Sequence, residues 1–459
     1  MIAIDGCYVA TVDPAGTEHP RGYVVLDGDQ ITAVGSGPLP PAYAAADRVD
    51  GSGLLATPGL VNSHHHLYQW ITRGYAADDT LFGWLKTLYP VWAGLDAELV
   101  SASAAANLGW LALTGCSTTT DHHYVFPAGR GDLLEATILA ARQIGLRFHP
   151  GRGSMNLGQS AGGLPPDSVI EKHDDILAAT QDAIDRWHDP SPGAMTRIAV
   201  APCSPFSVTA ELMRDCAELA RRAGVRMHTH LAETADEEEF CLQTFGRTPA
   251  QYAEDLGWLG PDVWLAHCVH LSGEAVGRFA ATGTGVAHCP TSNGRLGSGI
   301  APVRDLIAAG APVGLGVDGS ASNESGRMIG ELHQALLAAR FRGGPLALSV
   351  RESLRLATMG GARCLGRDEE LGSLETGKLA DVALWQTGGL AGAGIADPVC
   401  TLVFGAPALD RLWVGGRPVV AGGELLTADA ASLAAAAAAA STRIGGRASA
   451  QATAPAGGS

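Results

Sequence analysis

Residues 59–66 read GLVNSHHH, an apolar run that ends abruptly in three consecutive imidazoles. On a β-strand successive side chains point to opposite faces, so His64 and His66 share one face and His65 takes the other. An apolar strand whose polar residues are confined to its C-terminal tip suits a parallel barrel, where reactive groups gather at the C-terminal mouth. Seven further segments have this form: CSTTTDHH (116–123), LRFHPGR (146–152), TRIAVAPC (196–203), VRMHTHLAE (225–233), VWLAHC (263–268), TGVAHCP (284–290) and PVGLGVDG (312–319). Helical stretches such as LVSASAAANLGWLAL (99–113) and TAELMRDCAELARRAG (209–224) alternate with them, as in repeated βα units. Eight such strands predict an α/β fold with a TIM-type (β/α)8 barrel over residues 58–362. His64, His66, His123, Arg152, His230, His267, His288 and Asp318 all fall at C-terminal strand ends.

Outside the barrel the texture is different. Residues 1–57 carry short β-branched runs, with Asp27-Gly28 marking a hairpin, and strand texture returns over 363–427 in LGSLETGKLADVALW and DRLWVGGRPVVAGGEL. A small β-sandwich domain built from both chain ends is expected. Residues 428–459 read as an Ala-rich helix followed by a small-residue tail, the last dozen residues of which should be mobile.

Composition removes several classes of function. With 46% hydrophobic and 17% charged residues the chain has the apolar surface to fold, which excludes wholesale disorder. Its 31 basic residues against 47 acidic ones give a net charge of −16, which offers no basic surface for nucleic acid. The nine cysteines are scattered singly without a CxxC pair, so neither a disulfide framework nor a cysteine-based zinc site is expected, and a reducing compartment is the simpler reading. No apolar run of ~20 residues and no leader-like N-terminus is present, so the expectation is a cytoplasmic protein with no membrane partner.

The histidines carry the chemistry. One HxH at a strand end is an ordinary occurrence. Here His64 and His66 are joined by a second pair, His228 and His230, by His267, and by Asp318 at the tip of the eighth strand. Three imidazoles and a carboxylate at one barrel mouth suit a single divalent ion of borderline character, Zn²⁺ first and Fe²⁺ second, with water completing its shell. Such an ion lowers the pKa of water to ~7, and a neighbouring carboxylate takes the departing proton. His228 shares a face with His230 and is expected behind a ligand. His123 and His288 are candidates to line the pocket, whereas His65, His122 and His270 read as packing or loop residues.

The motifs PGLVNSHHHLYQ, HTHLAET, WLAHCVHL, HCPTSN and GVDGSASNE, in this order over about residues 1–430, resemble the amidohydrolase superfamily, in its mononuclear deaminase and aminohydrolase branch. The resemblance implies that His64, His66, His230 and Asp318 hold the metal, that Glu233 shuttles protons and that His267 orients the attacking water. It also implies one metal: the binuclear branch uses a carboxylated lysine on strand 4, and TRIAVAPCSP has none. The scaffold proteins of this fold that have lost their ligands are the remote alternative, set aside because every expected residue is kept. An even-numbered homo-oligomer is common in the fold family and is expected here.

For the substrate, the segment YQWITRGYAADDTLFGWLKTLYPVW (68–92) is rich in aromatic residues and should form a loop and helix over the barrel mouth. Trp84 and Tyr124 are the expected contacts to a flat ring, while Gln69 and Arg152 offer polar groups to an oxidised heterocycle. LFGWLKTLYPVWAGL, TTTDHHYVFP and RGSMNLGQSAGGLPPDS resemble deaminases of oxidised purines and, less closely, triazine, hydroxytriazine and isoxanthopterin aminohydrolases. The partner implied is a small aminated heterocycle, and the reaction implied is loss of ammonia from 8-oxoguanine to give urate, with guanine, isoxanthopterin and hydroxytriazines as alternatives.

Overall fold

A computed structural model describes residues 1–453. Eight parallel strands close into a barrel in sequence order: β1 (Leu60–Asn62), β2 (Cys116–His123), β3 (Arg147–Ser154), β4 (Ala199–Pro202), β5 (Arg226–Leu231), β6 (Val263–His267), β7 (Gly285–His288) and β8 (Val313–Leu315). Each coincides with one of the eight segments read from the sequence. The ring is closed by the pairing of Leu315 with Asn62. Asn62 also donates to Thr119 Oγ1 at 3.0 Å and accepts from the Val317 amide at 2.9 Å, so one buried amide ties β1, β2 and the chain beyond β8 together.

Several of the helices around the barrel present one apolar face to it. In Ala210–Ala223, capped by Thr209 and ended by Gly224 in the left-handed region, Leu212, Met213, Cys216, Leu219 and Ala220 are buried against the barrel. Inside the barrel, Trp264 is fully buried and donates to the Ser63 carbonyl at 2.9 Å. With Val61, Ala199, Ala287, Cys364 and Leu365 it fills the floor, leaving the C-terminal mouth for polar groups.

The chain ends meet in one nine-stranded sheet. Leu54–Pro58, from the N-terminal end, pairs antiparallel with Val382–Gln386, from the C-terminal end, and Ile4, Val9, Val24, Leu26, Leu384 and Trp413 form a second core there. The hairpin expected at Asp27-Gly28 joins Glu18–Asp27 to Gln30–Ser36, with Gly28 at φ +59°. Only Gly59 separates this sheet from β1. Arg147 of β3 clamps the two units by donating to both oxygens of Asp381, at 3.2 and 3.0 Å. The C-terminal helix runs Ala430–Thr453 and so takes in the first six of the last dozen residues expected to be mobile; the other six lie outside the described residues. Among the described residues no helix is long and apolar enough to cross a membrane.

Candidate active site

At the C-terminal mouth, β1, β5, β6 and the turn after β8 deliver His64, His66, His230, His267 and Asp318 to one point. His66 Nε2 lies 3.1 Å from His230 Nε2, and Asp318 Oδ1 is 3.2 Å from Nε2 of both His64 and His66. The ring protons decide what this cluster is. His66 Nδ1 donates to the His122 carbonyl at 2.7 Å and His230 Nδ1 to the Cys203 carbonyl at 2.6 Å. His228 Nδ1 donates to the Trp264 carbonyl, so its Nε2 accepts, and His64 Nδ1 must donate to it at 2.8 Å. All three Nε2 atoms therefore present lone pairs, and burial holds His64 and His230 well below the usual imidazole pKa, in the neutral form. Three lone pairs and a carboxylate oxygen converge with no proton among them, and His64 Nε2 is buried without a hydrogen-bond partner. Such a set of acceptors is repulsive by itself and fits a divalent cation; the imidazoles are oriented through their other nitrogens, as metal-holding histidines are.

Asp318 is held from three sides. Ser292 and Ser322 hydroxyls donate to Oδ2 at 2.6 and 3.2 Å, the Gly319 amide donates to Oδ1 at 2.7 Å, and His65 Nδ1 donates to its backbone oxygen at 2.5 Å. Donors on both oxygens favour the ionised carboxylate. Asp318 and His267 both adopt positive φ, +62° and +70°, a conformation that costs of order 1–3 kcal/mol and aims each side chain into the mouth.

Glu233 sits across from them, its carboxylate Oε2 3.6 Å from His267 Nε2. Burial and, after it, the charge of Asp318 push its carboxyl well above the usual range, which favours its protonated form. Its backbone is clamped by Glu237, whose carboxylate accepts from the Ala232 and Glu233 amides at 2.8 and 2.9 Å. His267 Nδ1 contacts Asn293 Oδ1 at 2.9 Å and donates to it, which leaves Nε2 as an acceptor towards Glu233 and Asp318.

The cleft above these groups is lined by Gln69, Trp84 and Tyr124, with Tyr89, Phe206 and Leu296. Trp84 is anchored by its Nε1 on the Ala321 carbonyl at 3.1 Å, Tyr124 stands edge-on to His66, and Gln69 packs so tightly on Gly319 that a Cβ there would fall 1.8 Å from its Oε1. The helix Leu81–Trp92 lies over the mouth as expected, with Phe82 packed on Phe206, but Trp92 is buried in the core and Trp70 stacks under Arg73.

Arg152 is not brought into the cleft. Its guanidinium is paired with Glu171, Nη2 to Oε1 at 2.6 Å, and lies 3.7 Å over the Phe126 ring. Nor does His123 or His288 line the cleft: His123 contacts the Val125 carbonyl and both imidazoles are buried away from the mouth. His122, read as packing, instead stacks on His230 with ring centroids 4.6 Å apart and shares the cluster with His64 and His66. Ser292, Asn293, Ser322 and Glu237 were not singled out from the sequence; HCPTSN and GVDGSASNE contain the first three, and position after a strand tip was the available signal.

The fold and this constellation define a hydrolase-type barrel with a potential metal site at its mouth, and the amidohydrolase family model matches residues 55–419: the chain belongs to the amidohydrolase family. It is 46% identical over 432 residues, 94% of this chain and 96% of the other, to an 8-oxoguanine deaminase of Pseudomonas aeruginosa. It is 38% identical to an isoxanthopterin deaminase of an unknown prokaryotic organism, over 89% of this chain and 88% of that protein. Among solved structures, atrazine chlorohydrolase TrzN of Arthrobacter aurescens TC1 complexed with zinc superposes with a TM-score of 0.91 at 35% identity, over 96% of this chain and all of that one.

Proposed function

We propose that this protein is a metal-dependent hydrolytic deaminase that converts 8-oxoguanine to urate and ammonia. The observation that carries the reading is the convergence of three imidazole lone pairs and the Asp318 carboxylate beside the buried carboxyl of Glu233. The 46% identity to an 8-oxoguanine deaminase over nearly the whole chain supports the substrate, and 38% identity to an isoxanthopterin deaminase makes a pterin the second reading.

His64, His66, His230 and Asp318 would hold the ion, for which zinc is the first choice given the zinc-bound structural relative. A divalent ion there lowers the pKa of water to ~7 and so supplies the nucleophile at neutral pH. Asp318 Oδ2, on the side facing His267, receives the proton the water loses. His267 Nε2 orients that water by accepting its hydrogen bond. Glu233 gives its proton to the ring nitrogen of the amidine and takes one back from the hydroxyl of the adduct, while the proton held by Asp318 passes to the amino group, so that the carbon gains oxygen, ammonia leaves and both carboxyls return to their starting states. Trp84 and Tyr124 bound the plane of the ring, and Gln69 offers a donor and an acceptor to its edge. Arg152, paired with Glu171 and stacked on Phe126 outside the cleft, takes no part in binding the base.

The test is ammonia release from 8-oxoguanine, guanine, isoxanthopterin and a hydroxytriazine, side by side, with metal content measured on the same sample. Fastest release from 8-oxoguanine by protein containing one metal per chain is expected. Absence of release from 8-oxoguanine refutes the substrate assignment, and absence from all four refutes deamination.

A further inference from the structure

At the opposite end of the barrel, β3, the chain entering β4 and the start of β5 face the segment 361–367, and four arginines gather there: Arg147, Arg197, Arg226 and Arg367. Their charges are not balanced. Arg147 is matched by Asp381, while Arg367 and Arg197 share Glu370. Arg226 forms no ion pair among the described residues; its Nε and Nη2 both go to the Cys364 carbonyl, at 3.1 and 2.8 Å. The other acids nearby are already paired, Asp262 with Arg221 and Asp368 with Arg363. Four guanidinium charges thus meet two carboxylates, in a protein that is strongly acidic overall.

Beside this excess lies a cavity of about 230 Å³, lined by Arg197, Arg226, His149 and His188. Every polar side chain on its wall is a donor. Arg197 Nε is buried without a partner, and Arg226 Nη1 has none among the described residues. His149 is 3% exposed, and its Nε2 accepts from Arg367 Nη1 at 3.4 Å, so its proton is on Nδ1, which has no partner among the described residues. His188 Nδ1 accepts from the Ile198 amide at 3.1 Å, which leaves Nε2–H as its donor. A buried donor without an acceptor is costly, and a cavity with room for several waters, at ~30 Å³ apiece, has space for the missing acceptor.

We propose that this cavity binds a tetrahedral oxyanion of the phosphate type, at a site distinct from the metal centre. Guanidinium forks and imidazole N–H groups arranged on several sides match an anion whose oxygens point in several directions, where a planar carboxylate would satisfy fewer. The anion would bridge β3, β4 and β5 to the segment 361–367 that plugs the barrel floor. Free phosphate and the terminal group of a small phosphorylated metabolite share this chemistry.

The full-length metal-loaded protein, in phosphate-free buffer, is titrated calorimetrically with inorganic phosphate, with a nucleoside monophosphate and with sodium chloride. One saturable phosphate site per chain is expected, weakened about tenfold or more in Arg226→Gln and in Arg197→Gln and unchanged in Arg222→Gln, an exposed control. Arg197 is partly exposed, so its variant keeps the test open should Arg226→Gln not fold. Equal or tighter binding of the monophosphate identifies a phosphorylated metabolite as the source; binding of phosphate alone identifies the free ion. No saturable phosphate binding, or binding that survives both variants and disappears when the metal is removed, overturns the proposal.

Discussion

His65 donates from Nδ1 to the backbone oxygen of Asp318 at 2.5 Å, so the imidazole between the two that face the mouth holds the opposite wall of the site. Asp318 lies in a left-handed conformation that costs free energy and must be held from outside. His65→Leu removes the donor at little change in volume. It should lower kcat by about 10–100-fold, the usual effect of losing a residue that orients a ligand, with the barrel intact by circular dichroism. Unchanged turnover in steady-state assays would refute the positioning role.

Removing the ion should leave three lone pairs and a carboxylate facing one another. Chelation is therefore expected to lower Tm, and zinc at about 1,000 times its Kd should restore about 4 kcal/mol of stability. Differential scanning calorimetry before and after dialysis with chelator measures this, and His230→Ala should abolish most of the restoration.

Glu233 must hold its proton to work, and burial with the charge of Asp318 keeps it protonated far above the usual carboxyl range. Activity that requires this acid should be retained above the usual carboxyl range and fall as pH rises through its raised pKa. Glu233→Gln keeps the shape but cannot transfer a proton, and should reduce kcat by about 10²–10⁴-fold. A pH profile of kcat for wild type and variant separates loss of the acid from loss of fold.

Glu331 supplies a stability test away from the ion. It is buried, accepts from the Thr291 amide and Asn323 Nδ2, and burial raises its pKa from the ordinary 4.5 to about 7. Between pH 4.5 and 7 the unfolded chain loses this proton while the folded chain keeps it, so stability falls as pH rises and levels off above 7. Glu331→Gln should flatten that slope, by up to about 3 kcal/mol across the window. Urea unfolding of both proteins without metal at pH 5 and 8 gives the comparison.

Gln69 is the one amide on the cleft wall that the sequence placed against the base. Gln69→Leu should lower kcat/KM for 8-oxoguanine about tenfold or more, because a polar edge then meets a methyl group. A parallel measurement on guanine shows whether the loss is specific to the oxidised ring.

The barrel was legible because each strand is an apolar run ended by polar residues, a pattern local to a few positions. The metal-type cluster was legible for the same reason: HxH on a strand has only one way to share a face. Adjacent histidines gave less. In CSTTTDHH the alternation alone did not say which ring turns inward, and the stacking of His122 on His230 is set by neighbouring strands. Arg152 sits at its predicted strand tip, yet Glu171, nineteen residues on in an irregular stretch, draws its guanidinium away. The same holds for Ser292, Ser322 and Glu237, whose partners are fixed by tertiary contacts and leave no periodic trace.

The ladder between Leu54–Pro58 and Val382–Gln386 sets the order in which the molecule can be finished. During synthesis the strand bearing His64 and His66 emerges early, with one glycine between it and a sheet whose other half does not yet exist. That strand has both its barrel partners once residue 315 is made, whereas the sheet before it is completed only after residue 386 leaves the ribosome. A ribosome stalled between these two points would hold a complete ring on an unfinished sheet, and docking of the C-terminal strands becomes a late event in the life of the nascent chain.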